Sequence, residues 1–390
     1  MCSHRARTLT DQGSTLGEHS SVVGWTVFGH AGAKRLLSRS YELNRLSHAY
    51  LITGPDKVGK RTLALDIAAM VNGERIPDMF GELPPLDLKS SHQAERIRKG
   101  IHSDVRLINP QTEIDGSSRK VTLSASNLRG RQTISIDHIR NMIKDSVTMP
   151  FEGTKKVFII DGAHRMVEAA SNAMLKILEE PSSEVIVILT APTLESLPET
   201  IVSRCQRIEL RSVETTLIEH ELIHGFGAED SEARLLSRLA QGCPGWAIDA
   251  LNDPTIIDAH NQAVLRFGEL IASGIEERFR YARQTSQQFW RDRDAVITEI
   301  NCWIEWWRDV AMIHHKLTNQ LINVEWTALL SEIAAQLDGS QISNALASLQ
   351  DALSALERNA VPQITLEVLM LDLPRVDPAK VPSTIFEVDP

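Results

Sequence analysis

At 390 residues the chain exceeds one ordinary domain, and two or three domains, each with its own core, are expected. Its 41 Lys and Arg against 51 Asp and Glu give a formal net charge of -10, a field that repels a phosphate backbone and excludes a generally basic nucleic-acid binder. Four scattered cysteines, Cys2, Cys205, Cys243 and Cys302, offer neither a C-x-x-C metal module nor a disulfide framework, and no run of about eighteen apolar residues suits a membrane helix.

Residues 1–21 lack an apolar stretch and read as a flexible tail, not a secretory signal; a reducing cytoplasm is the expected setting. From Trp25 to Arg45 the pattern is amphipathic and helical, and "HAYLITGP" follows as a buried strand running into a glycine turn. "GPDKVGKRT", Gly54 to Thr62, then leads into the helical "LALDIAAMV". Residues 73–109 are irregular and charged, and 111–133 form a polar insertion. "ISIDHIRNMIKDSVTMP" predicts a strand and a helix. Val157 to Ile160 predict a buried strand ending at Asp161, followed by a helix from Arg165 to Glu180, the strand "EVIVILTA" and the helix "LPETIVSRC". Strands alternating with helices predict an α/β P-loop domain with a parallel sheet over residues 22–210. Residues 211–252 lack a strand and read as a helical unit of about three or four helices. Residues 253–390 form an all-helical part holding five of the seven tryptophans, three of them in "CWIEWW", which suits either an interface or burial in its own core.

"GPDKVGK" fits G-x-x-x-x-G-K, where backbone N–H groups at a helix start face phosphates and Lys60 reaches their outer oxygens. The hydroxyl that would ligate Mg²⁺ belongs directly after the lysine, but Arg61 stands there and Thr62 comes one place late. Gly54, Gly59 and Lys60 are therefore either a phosphate cradle or an inherited turn. Asp161 could ligate a metal, yet Gly162 follows it and provides no side chain to prepare a water. His164 reads as a surface residue at a helix start, away from the phosphate, and Glu179 and Glu180 as a solvated helix end. In "SRC", Ser203 to Cys205, Arg204 can project from the domain edge; on local grounds it reads as a surface or salt-bridged arginine.

Together "GHAGAKRLLSRSYELNRLSHAYLITGP", "ISIDHIRNMI", "KKVFIIDGAHRMVEAASNAMLKILEEP" and "LPETIVSRCQRIEL" resemble the AAA+ clamp-loader family of bacterial DNA polymerase III. The resemblance runs from about Trp25 to Leu251, with a weaker match in "ASLQDALSALERNAVPQITLEVLMLDLP". It implies a RecA-like AAA+ domain (22–210), a small helical lid (211–252) and an all-α collar domain (253–390) in a ring of subunits. It further implies a non-hydrolysing member whose own site, Gly54, Gly59, Lys60, Arg61, Thr62 and Asp161, is degenerate. Arg204, with Ser203 and Cys205, would then be an arginine finger acting in a neighbour's ATP site. The implied partners are the tau/gamma motor subunits and the delta subunit through collar and AAA+ faces, the sliding clamp indirectly, and primed DNA through the assembled ring, with no membrane. No cofactor is required and ATP in its own site is not expected. The cysteines of a zinc module are absent between Val71 and Asn109, so no zinc is expected. Trp246 stands where a phosphate-sensing arginine commonly occurs. A self-contained P-loop ATPase using Lys60, Thr62 and Asp161 is the alternative.

Overall fold

The computed structural model describes residues 22–74, 85–112, 133–318, 321–358 and 360–377. The expected tail (1–21) and nearly all of the polar insertion (113–132) lie outside the described residues. Five parallel strands form the central sheet: β2 (Ala49–Thr53), β4 (Val105–Ile108), β5 (Lys156–Ile160), β6 (Val185–Ala191) and β7 (Gln206–Glu209), in the order β4-β5-β6-β2-β7. A small parallel pair, β1 (Val22–Val23) with β3 (Leu86–Asp87), lies beside it.

Alternation along the strands separates two cores. Val157 and Ile159 of β5 pack with α1 (Ala31–Glu42), α2 (Lys60–Asn72) and α3 (His92–Arg98) through Leu37, Ile67 and Ala94. Phe158 and Ile160 pack on the opposite face with α4 (Ile136–Ser146), α5 (Glu168–Glu179) and α6 (Glu199–Val202) through Ile139, Met174 and Ile201. Burial on both faces is why these strands read as unbroken apolar runs.

Several elements differ from the sequence expectation, each for a local reason. The helix expected from Trp25 begins only at Ala31, because Gly29 and His30 take left-handed backbone conformations and the N–H groups of Thr26 and Val27 donate to the buried Asp66. The strand expected at "ISI" is reduced to one bridge, Ile134 to Met166, since Ser135 instead caps α4 in a capping box with His138. The helix expected from Arg165 to Glu180 is a 3-10 turn, Ala163–Arg165, and then α5. The helix expected through "SRC" stops at Val202, leaving Arg204 in the turn before β7. Within the stretch expected to be irregular, residues 73–109, lie α3 and the edge strand β4.

Beyond the sheet come three short helices around their own small core: α7 (Thr215–Phe226), α8 (Asp230–Leu239) and α9 (Pro244–Asn252). Six further helices enclose the largest core: α10 (Thr255–Ala272), α11 (Ile275–Phe289), α12 (Arg293–His314), α13 (Thr327–Gln336), α14 (Gly339–Glu357) and α15 (Pro362–Asp372). Trp303, Trp306 and Trp307 of α12 are wholly buried there, with Phe267 stacked on Trp303 at 4.7 Å, so the "CWIEWW" tryptophans serve their own core and not an interface. Arg278 of α11 is buried beside this core. Its guanidinium donates to the carbonyl oxygens of Leu270, Ile271, Met370, Leu373 and Pro374 at 2.7–3.1 Å, so all five N–H groups serve the ends of α10 and α15. Among the described residues no helix is long and apolar enough to cross a membrane.

Candidate functional site, a P-loop cleft and an arginine edge

The carboxyl ends of β2, β5 and β6 open into a cleft of about 1690 Å³. In a parallel sheet with helices on both faces, this is where ligands bind. Between β2 and α2 the chain turns through Gly54 (φ 147°) and Gly59 (φ 112°), so the start of α2 points into the cleft. Glycine is required at Gly54: a Cβ there would lie 2.2 Å from the Leu210 carbonyl oxygen.

Lys60 opens α2, and its ammonium has no donor to spare. It donates to the carbonyl oxygens of Gly54 at 2.6 Å and Pro55 at 2.8 Å and to Asp56 Oδ1 at 3.0 Å, which accounts for its three N–H groups. A phosphate would have to displace at least one of these oxygens. Arg61 and Thr62 line the same cleft. The neighbouring Val58 carbonyl is within 3.0 Å of His30 Nε2. Burial pushes the His30 pKa down, which favours the neutral ring with its hydrogen on Nε2, donating to that carbonyl.

Asp161 stands at the end of β5, where Thr190 of β6 donates to its Oδ1 at 2.7 Å and accepts from the Gly162 N–H at 2.9 Å. Gly162 adopts φ 82°, a left-handed conformation that side chains rarely take. The missing carboxylate is thus matched by a backbone suited to glycine. His164, expected at the surface, is exposed, and it also borders the cleft. The 3-10 turn after Gly162 carries it there, a detail that a continuous-helix reading hides.

Two other parts of the chain border this cleft. The start of α9 docks on the P-loop tip: Gly245 donates its N–H to the Lys57 carbonyl at 2.8 Å, and the Lys57 ammonium pairs with Asp249. A Cβ on Gly245 would sit 2.7 Å from that carbonyl oxygen, so this close approach depends on glycine. On the far side, the end of α11, the turn after it and the start of α12 contribute residues 289–294, with Arg165 and Asp294 paired at 3.4 Å. Sequence reasoning missed both contributions, which come from residues more than a hundred positions away. Trp246 is partly buried, with its ring centroid 6.4 Å from that of His260.

The "SRC" residues lie on another edge of the sheet domain. Cys205 is buried in the core, and burial pushes its thiol up to about 12, so it is a neutral packing group. Ser203 Oγ and Arg204 Nη1 both donate to the Thr200 carbonyl, at 3.3 and 2.8 Å. Arg204 Nη2 is 2.7 Å from Glu179 Oε1, and about a third of the arginine side chain remains exposed. Arg204 is thus paired across the surface with the half-exposed Glu179 at the end of α5. Among the described residues, no three His, Cys, Asp or Glu side chains converge as metal ligands.

A parallel sheet with a P-loop, a three-helix unit resting on that loop and an all-helical C-terminal region define an α/β P-loop protein, and this protein is similar to subunits of DNA polymerase III. Residues 29–214 match the family described as "DNA polymerase III, delta subunit". The chain is similar to DNA polymerase III subunit delta' of Bacillus subtilis, with 25% identity over 339 residues, 87% of this chain and 94% of that one. It is also similar to subunit tau of Escherichia coli, with 26% identity over 348 residues, 86% of this chain and 47% of tau. Subunit tau of Bacillus subtilis is 31% identical over 231 residues, 58% of this chain and 36% of tau. The chain thus spans nearly all of that delta' and about half or less of these tau subunits.

Proposed function

We propose that this chain is a delta'-type clamp-loader subunit that hydrolyses no ATP itself and lends Arg204 to the ATP site of an adjacent motor subunit. The observation that carries this reading is the make-up of its own phosphate site. All three N–H groups of Lys60 are bonded to oxygens of its own loop, Arg61 stands where a metal-binding hydroxyl belongs, and Gly162 stands where a water-orienting carboxylate belongs. An arginine supplied across an interface contributes about 10³ to 10⁵ in phosphoryl-transfer rate, and Arg204 is the edge arginine with room to do so. Its partners are tau/gamma-type motor subunits and a delta subunit, met through the sheet domain and the C-terminal helices. The sliding clamp and primed DNA are engaged through the whole ring, because a chain of net charge -10 has no general attraction for phosphate. The setting is cytoplasmic, and neither zinc nor a bound nucleotide is needed.

The test is DNA-stimulated ATP turnover by a loader reconstituted with this subunit as wild type or Arg204→Ala, beside the isolated chain. An inert isolated chain, and a fall of at least about 10²-fold in the turnover that depends on the neighbouring site while assembly is intact, supports the reading. Unchanged turnover removes the finger assignment. Turnover by the isolated chain that Lys60→Ala abolishes would favour the self-contained ATPase, for which Lys60, Thr62 and Asp161 lining one cleft is the supporting observation.

A further inference from the structure

We infer that Glu179 is a positioning residue for Arg204, setting the plane and reach of the guanidinium before it meets a neighbour's phosphate. This rests on the proposed role of Arg204. Two anchors on two different helices hold the fork: Glu179, the last residue of α5, at 2.7 Å from Nη2, and the carbonyl oxygen of Thr200 in α6, at 2.8 Å from Nη1. Nη1 spends one hydrogen on the Thr200 carbonyl, and Nη2 meets Glu179 as an ion pair. The Nε–H makes no hydrogen bond among the described residues, and with the outward Nη hydrogens it is open to a phosphate. An arginine side chain carries large rotamer freedom, and fixing it on its own scaffold removes that freedom before the neighbour's site is assembled.

The opposite role, in which Glu179 withholds the arginine, does not fit the exposure of the pair. The Glu179 side chain is 50% exposed and Arg204 36%. An ion pair in that much solvent is weak, too weak to hold a guanidinium back from a phosphate carrying more than one negative charge. It is strong enough to bias which rotamer an otherwise mobile side chain adopts. Both anchors belong to packed elements, since Met174 and Ile177 of α5 and Ile201 of α6 share one core. The orientation of Arg204 is therefore tied to the sheet domain.

The experiment is a double-mutant cycle in the reconstituted loader, reading kcat and KM for ATP in DNA-stimulated turnover and checking assembly by gel filtration. Glu179→Ala should lower kcat about 3- to 10-fold with KM unchanged, because the loss is one of orientation in the transition state. Glu179→Gln keeps an Oε1 acceptor and should restore at least half of the activity. In an Arg204→Ala background, Glu179→Ala should have no further effect. The inference is overturned if Glu179→Ala leaves kcat unchanged or raises it, or if its effect persists without Arg204. If Arg204→Ala alone costs nothing in an assembled complex, the proposed function itself fails; if Arg204→Ala is costly and Glu179→Ala is not, only the positioning role fails.

Discussion

Replacing Gly162 tests whether the absent carboxylate is a matter of backbone as well as side chain. The residue sits at φ 82°, and a Cβ built there would meet nothing closer than Arg165 Cδ at 3.7 Å. Steric crowding therefore adds nothing, and the cost of a side chain is conformational, about 1–2 kcal/mol for a non-glycine residue in the left-handed region. For a domain the size of the sheet unit this corresponds to a drop of roughly 2–8 °C in midpoint. Gly162→Ala and Gly162→Glu should show the same drop by thermal circular dichroism, since the penalty attaches to the Cβ and not to the carboxylate. Gly162→Glu should gain no ATP turnover, because the Lys60 ammonium stays bonded to its loop and Arg61 remains in the hydroxyl's place. The reasoning is refuted if Gly162→Ala is neutral, or if Gly162→Glu alone confers Lys60-dependent hydrolysis.

Arg278→Ala leaves five carbonyl oxygens at the ends of α10 and α15 without their donors and should destabilise the C-terminal helices by at least about 3 kcal/mol, read as lost hydrogen-exchange protection at those ends. Arg278→Lys should rescue little, having three donors without the planar fork. Glu305 of α12, hydrogen-bonded to Gln241, is pushed by burial up to about 7 from its usual 4.5. The folded state therefore keeps a proton that the unfolded state loses, and stability should fall as pH rises from 4.5 through 7. Glu305→Gln should remove that slope, being close to neutral at about pH 4.5 and stabilising on the order of 1–3 kcal/mol at about pH 8, measured by urea unfolding.

The sheet was legible wherever burial on both faces left an unbroken apolar signal, as in β5 and β6. The edge strand β4 was not, because Arg106 interrupts it to pair with Asp145 of α4, and an edge strand tolerates such a charge. The start of α1 was misplaced because the partner of Thr26 and Val27 is Asp66, forty residues on, which no local periodicity reveals. At the P-loop the spacing of glycines and lysine could be read directly, and so could the misplaced Arg61. That the Asp56 carboxylate takes one of the Lys60 donors could not. The same holds for Glu179, where a charge at a helix end gives no hint that a turn from β7's side brings an arginine to it.

The contact between the P-loop tip and α9 has a thermodynamic consequence. Lys57 and Gly245 join the sheet to the three-helix unit through the chain's own atoms, at the tip of the P-loop. A ligand shifts a conformational equilibrium only by its difference in affinity for the two states. Here the contact between the two bodies is made by the chain's own groups, which are present at a fixed effective concentration.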